Sequence, residues 1–149
     1  MSTQTDTISV LNDLIQTCKD GQEGFKTASE SVTDSSLKFL FSEYSLQRAK
    51  FAAALQQEVA RLGGNPETGG SVSASLHRGW INLKAAVTGK DESAIVSECE
   101  RGEDAARDAY QDALKKGLTG DVRALVQEQA AEVQQAHNRI RSLEVKMSH

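Results

Sequence analysis

Apolar residues recur every three or four positions through four long stretches of the chain and one short one. The first stretch reads Ile8, Leu11, Ile15, Cys18, Gln22, Phe25, Ser29 and Val32, the spacing of a helix with one face on a core. Gln22 interrupts it near its midpoint. A polar group set into such a stripe needs a partner, because unpaired burial costs ~1–3 kcal/mol. The spacing predicts a helix from Asp6 or Thr7 to Ser31. Gly21 and Gly24 are poor residues for a helix interior, at ~1 kcal/mol each, and are expected to admit a close neighbour or a local distortion. Thr33-Asp34-Ser35 is a short break with N-cap chemistry.

The second helix is predicted from Ser35 to Leu62, with Leu37, Phe41, Tyr44, Gln47/Arg48, Phe51, Leu55, Val59 and Leu62 on its stripe. Gly63 is a natural C′ residue, and Gly64-Asn65-Pro66 stops the helix. A shorter amphipathic helix is predicted over Val72 to Val87, carrying Val72, Leu76, Trp80, Leu83 and Val87. A third long helix is predicted from Asp91 to Gly117, with Ile95, Cys99, Glu103, Ala106, Tyr110 and Leu114 inward. Asp121 caps the last, which shows Val122, Val126, Gln129, Val133, Ala136, Ile140, Leu143 and Met147.

Connection lengths predict the topology. The first two long helices are joined tightly, as are the last two, so each pair is antiparallel. The 28 residues from Gly63 to Lys90 can return along a helix that is ~40 Å long. The second and third long helices are then parallel, in an all-α, ferritin-like four-helix bundle with one long crossover containing a short helix. An up-down five-helix assembly fits less well, because Val72 to Val87 is much shorter than the other four.

Length and composition agree with a single domain over residues 1–149. One proline in 149 residues and an abundance of Ala, Glu, Gln, Lys, Leu and Arg favour helices. A net charge of -4 argues against nucleic acid as a partner, which calls for a concentrated basic face. No stretch reaches the ~18–20 apolar residues of a membrane span, and the polar start lacks a signal core. The expected location is the cytoplasm. Cys18 and Cys99 fall on apolar stripes and read as reduced, buried small side chains.

Counting outward from the turns places Gln22, Gln47, Glu100, Glu103, Gln135 and His137 near mid-depth, with Glu23, Glu43, Arg48 and Glu132 close by. Mid-depth is where ferritin-like carboxylate proteins hold two metals, using one Glu from each of two helices and Glu-x-x-His from each of the others. The candidate ligands here are Glu23, Glu43, Glu100, Glu103, Glu132 and His137. The spacing rule is not met. Leu46 follows Glu43 by three residues, Gln135 follows Glu132, and His137 lies about 140° round the helix from Glu132. Gln22 is a weak ligand for iron, although hard divalent cations accept oxygen donors. The competing expectation is a register-fixing polar layer of Arg48, Gln47, Gln22, Glu103 and Gln129 or Gln135, with no metal. His77 reads as a surface or packed histidine. Trp80 reads as the anchor that docks the crossover, its indole N–H reaching a polar partner, or alternatively as an oligomer contact.

Four stretches carry a family resemblance: Asp20-Gly21-Gln22-Glu23-Gly24-Phe25, Leu76-His77-Arg78-Gly79-Trp80, Glu98-Cys99-Glu100-Arg101-Gly102-Glu103-Asp104 and Ala136-His137-Asn138-Arg139-Ile140. Together they resemble a bacterial ferritin-like family of four-helix-bundle proteins of unknown function. The resemblance spans nearly the whole chain and implies the ferritin-like fold in a bacterial, cytoplasmic protein. It implies no activity, and shared fold does not carry shared function. The leading expectation is a non-enzymatic bundle that acts as a homo-oligomer or through a protein partner, in a stress setting. The alternative is a divergent metal-binding or redox bundle using iron or another divalent metal.

Overall fold

The computed structural model describes residues 4–67, 80, 82–89 and 91–147. Every element among them is helical: α1 (Gln4–Ser31), α2 (Ser35–Arg61), α3 (Leu83–Thr88), α4 (Glu92–Leu114) and α5 (Gly120–Met147). The caps follow the local chemistry. Asp34 Oδ1 accepts from the Leu37 N–H at 3.0 Å, and Asp91 does the same for Ala94 at 3.3 Å. At the end of α2 the Gly64 N–H reaches Val59 O and the Gly63 N–H reaches Ala60 O. This is a Schellman closure with Gly63 at φ +85°, a conformation that favours glycine.

Three boundaries differ from the periodicity. The α1 helix begins at Gln4, whose side-chain amide donates to Leu62 O across the bundle end. The α4 helix stops at Leu114 rather than Gly117, because Lys115 and Lys116 tighten onto Asp112 O and Ala113 O and Gly117 takes φ +78°. The α5 helix starts at Gly120, which puts Asp121 in its first turn rather than at its cap. Of the predicted helix Val72 to Val87, residues 72–79 and 81 lie outside the described residues, as does His77. The described remainder is helical only from Leu83, and Trp80 is not helical.

Cross-helix contacts fix the directions. Ser45 Oγ donates to Gln22 O, and Asn12 of α1 bonds Asn65 and Glu67 beyond the end of α2, so α1 and α2 are antiparallel. Glu92 at the start of α4 accepts from the Thr33 and Asp34 N–H groups before α2, and Arg48 meets Glu103 further along. Helices α2 and α4 therefore run parallel, as the long crossover requires. Tyr110 pairs with Gln129 and Asp104 with His137, making α4 and α5 antiparallel.

The core forms two clusters. One gathers Leu11, Leu14, Ile15, Leu55, Val59, Val126 and Val133. The other gathers Phe25, Val32, Phe41, Trp80, Ile95, Cys99 and Ile140. Polar side chains occupy the level between them.

Candidate functional site

The level between the clusters is built on Arg48. Its guanidinium holds Glu103 through two parallel hydrogen bonds, Nη1 to Oε1 at 2.5 Å and Nη2 to Oε2 at 2.6 Å. The two side chains are 1% and 0% exposed. Nε donates to Gln47 Oε1 at 3.2 Å, and the guanidinium carbon lies 5.5 Å from the centre of the Phe25 ring. Burial works against the Arg48 charge, and Glu103 outweighs it, so the guanidinium is held above its ordinary value. Room for Arg48 comes from Gly21, where a Cβ would lie 3.3 Å from Arg48 Cγ. Bidentate geometry with each guanidinium nitrogen engaged is what a buried ion pair needs to offset its desolvation.

One step along the bundle, a second polar chain touches all four long helices. The Cys18 thiol of α1 lies 3.1 Å from Tyr110 Oη of α4. That hydroxyl donates to Gln129 Oε1 of α5 at 2.7 Å, and Gln129 Nε2 donates to Phe51 O of α2 at 3.4 Å. Burial pushes the Cys18 thiol up to about 11, and it pushes Cys99 and Tyr110 well above their ordinary values. Both cysteines are free and buried. As protonated thiols they are poor nucleophiles, which agrees with the structural role expected of them.

A third group lies on the α4–α5 seam. Glu100, Asp104 and His137 bring ligand-capable atoms within 4.8 Å of one another. His137 Nε2 is 2.5 Å from Asp104 Oδ1 and 3.4 Å from Arg107 Nη1. Its Nδ1 is buried with no partner among the described residues. In the neutral ring the proton therefore sits on Nε2, donated to Asp104. Arg141 Nη1 stands 3.6 Å from Glu100 Oε1. A hydrogen bond with Glu144 and partial burial raise the Glu100 carboxyl to about 7.

A family model described as a domain of unknown function, DUF2383, matches residues 6–116. The chain belongs to this family. A solved two-domain protein from Anabaena variabilis, containing DJ-1/ThiJ/PfpI-like and ferritin-like domains, superposes with a TM-score of 0.79 at 20% identity over 98% of the chain. The chain spans 41% of that protein's length. None of the curated proteins compared with it matches. The DUF2383 bundle is thus ferritin-like in fold, as the sequence motifs implied. No helix among the described residues is long and apolar enough to cross a membrane.

The middle of this ferritin-like bundle does not fit a two-metal carboxylate site. Such a site draws inward acids and histidines from four helices. At this level the DUF2383 chain supplies Gly21, the Arg48 cation and Glu103 already paired to it, with Gln129 one step away bonded to Tyr110. The other buried acids are engaged elsewhere: Glu98 with Arg101 and the Asn82 N–H, and Asp20 with Gln16. Of the six residues proposed as ligands from sequence, Glu100 and His137 come together, joined by Asp104. Glu103 belongs to the ion pair. Glu23 and Glu43 are exposed, and Glu132 is half-buried.

Of the expected polar layer, Arg48, Gln47 and Glu103 come together, whereas Gln129 joins the neighbouring chain through Tyr110. Gln135 is exposed and Gln22 only half-buried, with Gly21 taking the inward position instead. Asp104 was not singled out by sequence reasoning, although it stands one turn beyond Glu100 on the same face. Tyr110 read as plain core. Its polar role was signalled by Gln129, at nearly the same distance from the α4–α5 turn.

Proposed function

We propose that this ferritin-like chain is a non-enzymatic assembly module that acts by self-association, with its interior closed by protein-supplied charges. The observation that carries the reading is the outer face of α2, where Phe39 is 69% and Leu46 is 56% exposed. Phe39 and Leu46 stand two turns apart on one face, the spacing at which a facing helix would cover both. The interior supports it from the other side: Arg48 places a fixed positive charge, already satisfied by Glu103, in the level where a carboxylate enzyme would need open anionic ligands. In the Anabaena protein the ferritin-like domain shares a chain with a DJ-1/ThiJ/PfpI-like domain, which is in keeping with such a bundle working alongside other protein units. Sedimentation equilibrium over a concentration series tests the reading. A mass of at least twice the chain is expected at the upper concentrations, and a monomer throughout rejects it.

A second reading has its own support in Glu100, Asp104 and His137, which a hard or borderline divalent cation would suit. A cation there must displace the His137 proton and compete with Arg107 and Arg141. Elemental analysis after loading with iron, manganese or zinc decides it. One equivalent that disappears in Asp104→Asn supports the site, and no retained metal rejects it.

A further inference from the structure

Along α2, the residues Phe39, Glu43, Leu46, Lys50 and Ala53 follow one another at steps of four and three, and all five are exposed. That spacing makes a single straight strip. It lies opposite Leu37, Phe41, Arg48, Phe51, Leu55 and Val59, which face the bundle interior. Apolar residues occupy its seven-residue repeat at Phe39, Leu46 and Ala53, while Glu43 and Lys50 flank them on the same side. This is the layout of a helix–helix seam with edge charges, presented to solvent. Neither Glu43 nor Lys50 has an ion-pair partner among the described residues. Two turns apart, at about 10 Å of rise, they do not reach each other within one helix.

We infer that this strip is a two-fold contact with a second copy of the chain, α2 packed antiparallel on α2 with Leu46 at the axis. The inference rests on the self-association reading and names its surface and geometry. An axis at residue 46 sets the two Leu46 side chains against each other. It places Phe39 over the partner's Ala53, a large residue against a small one, on both sides of the axis. It also brings Glu43 within one residue, about 1.5 Å of rise, of the partner's Lys50, and the flanking positions of antiparallel helices lie on the same side of the seam. Each Glu43 thus gains the unpaired cation of the other chain, twice by symmetry. A parallel pairing puts these flanks on opposite sides of the seam, where Glu43 does not meet Lys50. The Glu43–Lys50 pairs therefore form only in the antiparallel arrangement, and a second copy supplies both of them.

The test is sedimentation equilibrium on the full chain and on α2 variants, with circular dichroism to confirm helix content. All the substituted positions are exposed, so the fold is expected to persist. Leu46→Asp should abolish the dimer. Glu43→Lys and Lys50→Glu should each weaken it by about tenfold, by replacing two attractive edge pairs with two repulsive ones. The double variant Glu43→Lys/Lys50→Glu should recover the wild-type constant. A wild-type oligomer indifferent to Leu46→Asp would overturn the α2 contact and leave self-association standing. Failure of the double variant to recover binding would overturn the antiparallel pairing. A wild-type monomer at every concentration overturns both the contact and the reading beneath it.

Discussion

Glu100 and Glu144 meet across the α4–α5 seam, carboxyl to carboxyl. The hydrogen bond to Glu144, with partial burial, lifts Glu100 from 4.5 to about 7, and Arg141 opposes the shift. The folded chain thus keeps a proton that the unfolded chain releases above 4.5. Its stabilising contribution is complete below 4.5 and is lost as the pH rises through about 7. Glu92 works with the opposite sign in a different window. Its bonds to the Thr33 hydroxyl and backbone hold it below its ordinary value, so its contribution disappears only as the pH falls under 4.5. Thermal unfolding followed between pH 4.5 and about 7 should therefore show a melting temperature that falls with rising pH. Glu144→Gln should flatten that slope, because Glu100 then loses the carboxylate facing it. An unchanged slope would show that Glu144 does not raise the Glu100 carboxyl. At this scale the sequence was informative about residue type and depth and less so about pairing. Glu100, Glu103 and His137 are at the expected level, yet Glu103 turns to Arg48 while the other two meet Asp104. Which helix faces which neighbour decides that sorting, and no spacing along one helix encodes it.

Trp80 anchors the crossover on the bundle, beside Leu83 and Ala86 of α3. Trp80 packs edge-on to Phe25 at 5.2 Å between ring centres and lies against α1 and α4 where both carry glycine. A Cβ at Gly24 would stand 2.5 Å from the indole, and one at Gly102 2.2 Å. Neither helix position admits a methyl group while the ring stays in place. Gly102→Ala should therefore expel or tilt Trp80. A destabilisation of ~1–3 kcal/mol is expected from overpacking. Trp80 is the sole tryptophan, so its emission should shift to the red with little change in helix content. A wild-type spectrum from Gly102→Ala would show that the ring does not occupy this slot. The four long helices and the tight turns at 31–35 and 115–120 were legible, because caps, glycines and period are local signals. Gly24 was legible as a point of close approach. The crossover was less so: its amphipathic spacing predicted helix through Trp80, whereas the described helix begins at Leu83. The position of Trp80 is set by a cleft that two distant glycines leave open, a tertiary constraint that overrides local propensity.

The molecule as a whole is two apolar halves fastened through a polar middle. The half containing Leu11, Leu55 and Val126 and the half containing Phe25, Phe41 and Ile140 are separated by the level of Arg48 and Glu103. A continuous apolar core would bind the ends by packing alone; here the helices cross a middle level held by a bidentate ion pair. Removing one partner strands a buried charge at ~3–5 kcal/mol, while replacing both by apolar residues of similar size is commonly neutral or stabilising. Arg48→Met should thus destabilise by about that amount. It should also loosen the coupling between the halves, leaving Glu103 to draw water into the middle. Trp80 fluorescence reports the half that holds the crossover, whereas far-ultraviolet circular dichroism reports all the helices. In the wild type the two denaturation curves should coincide, as they do for a cooperative transition. In Arg48→Met they should separate. In Arg48→Met/Glu103→Leu they should coincide again at or above the wild-type midpoint, because the two core clusters then merge. If the double variant remains as unstable as the single one, the pair contributes more than charge compensation, and register fixed by its bidentate geometry becomes its role in the bundle.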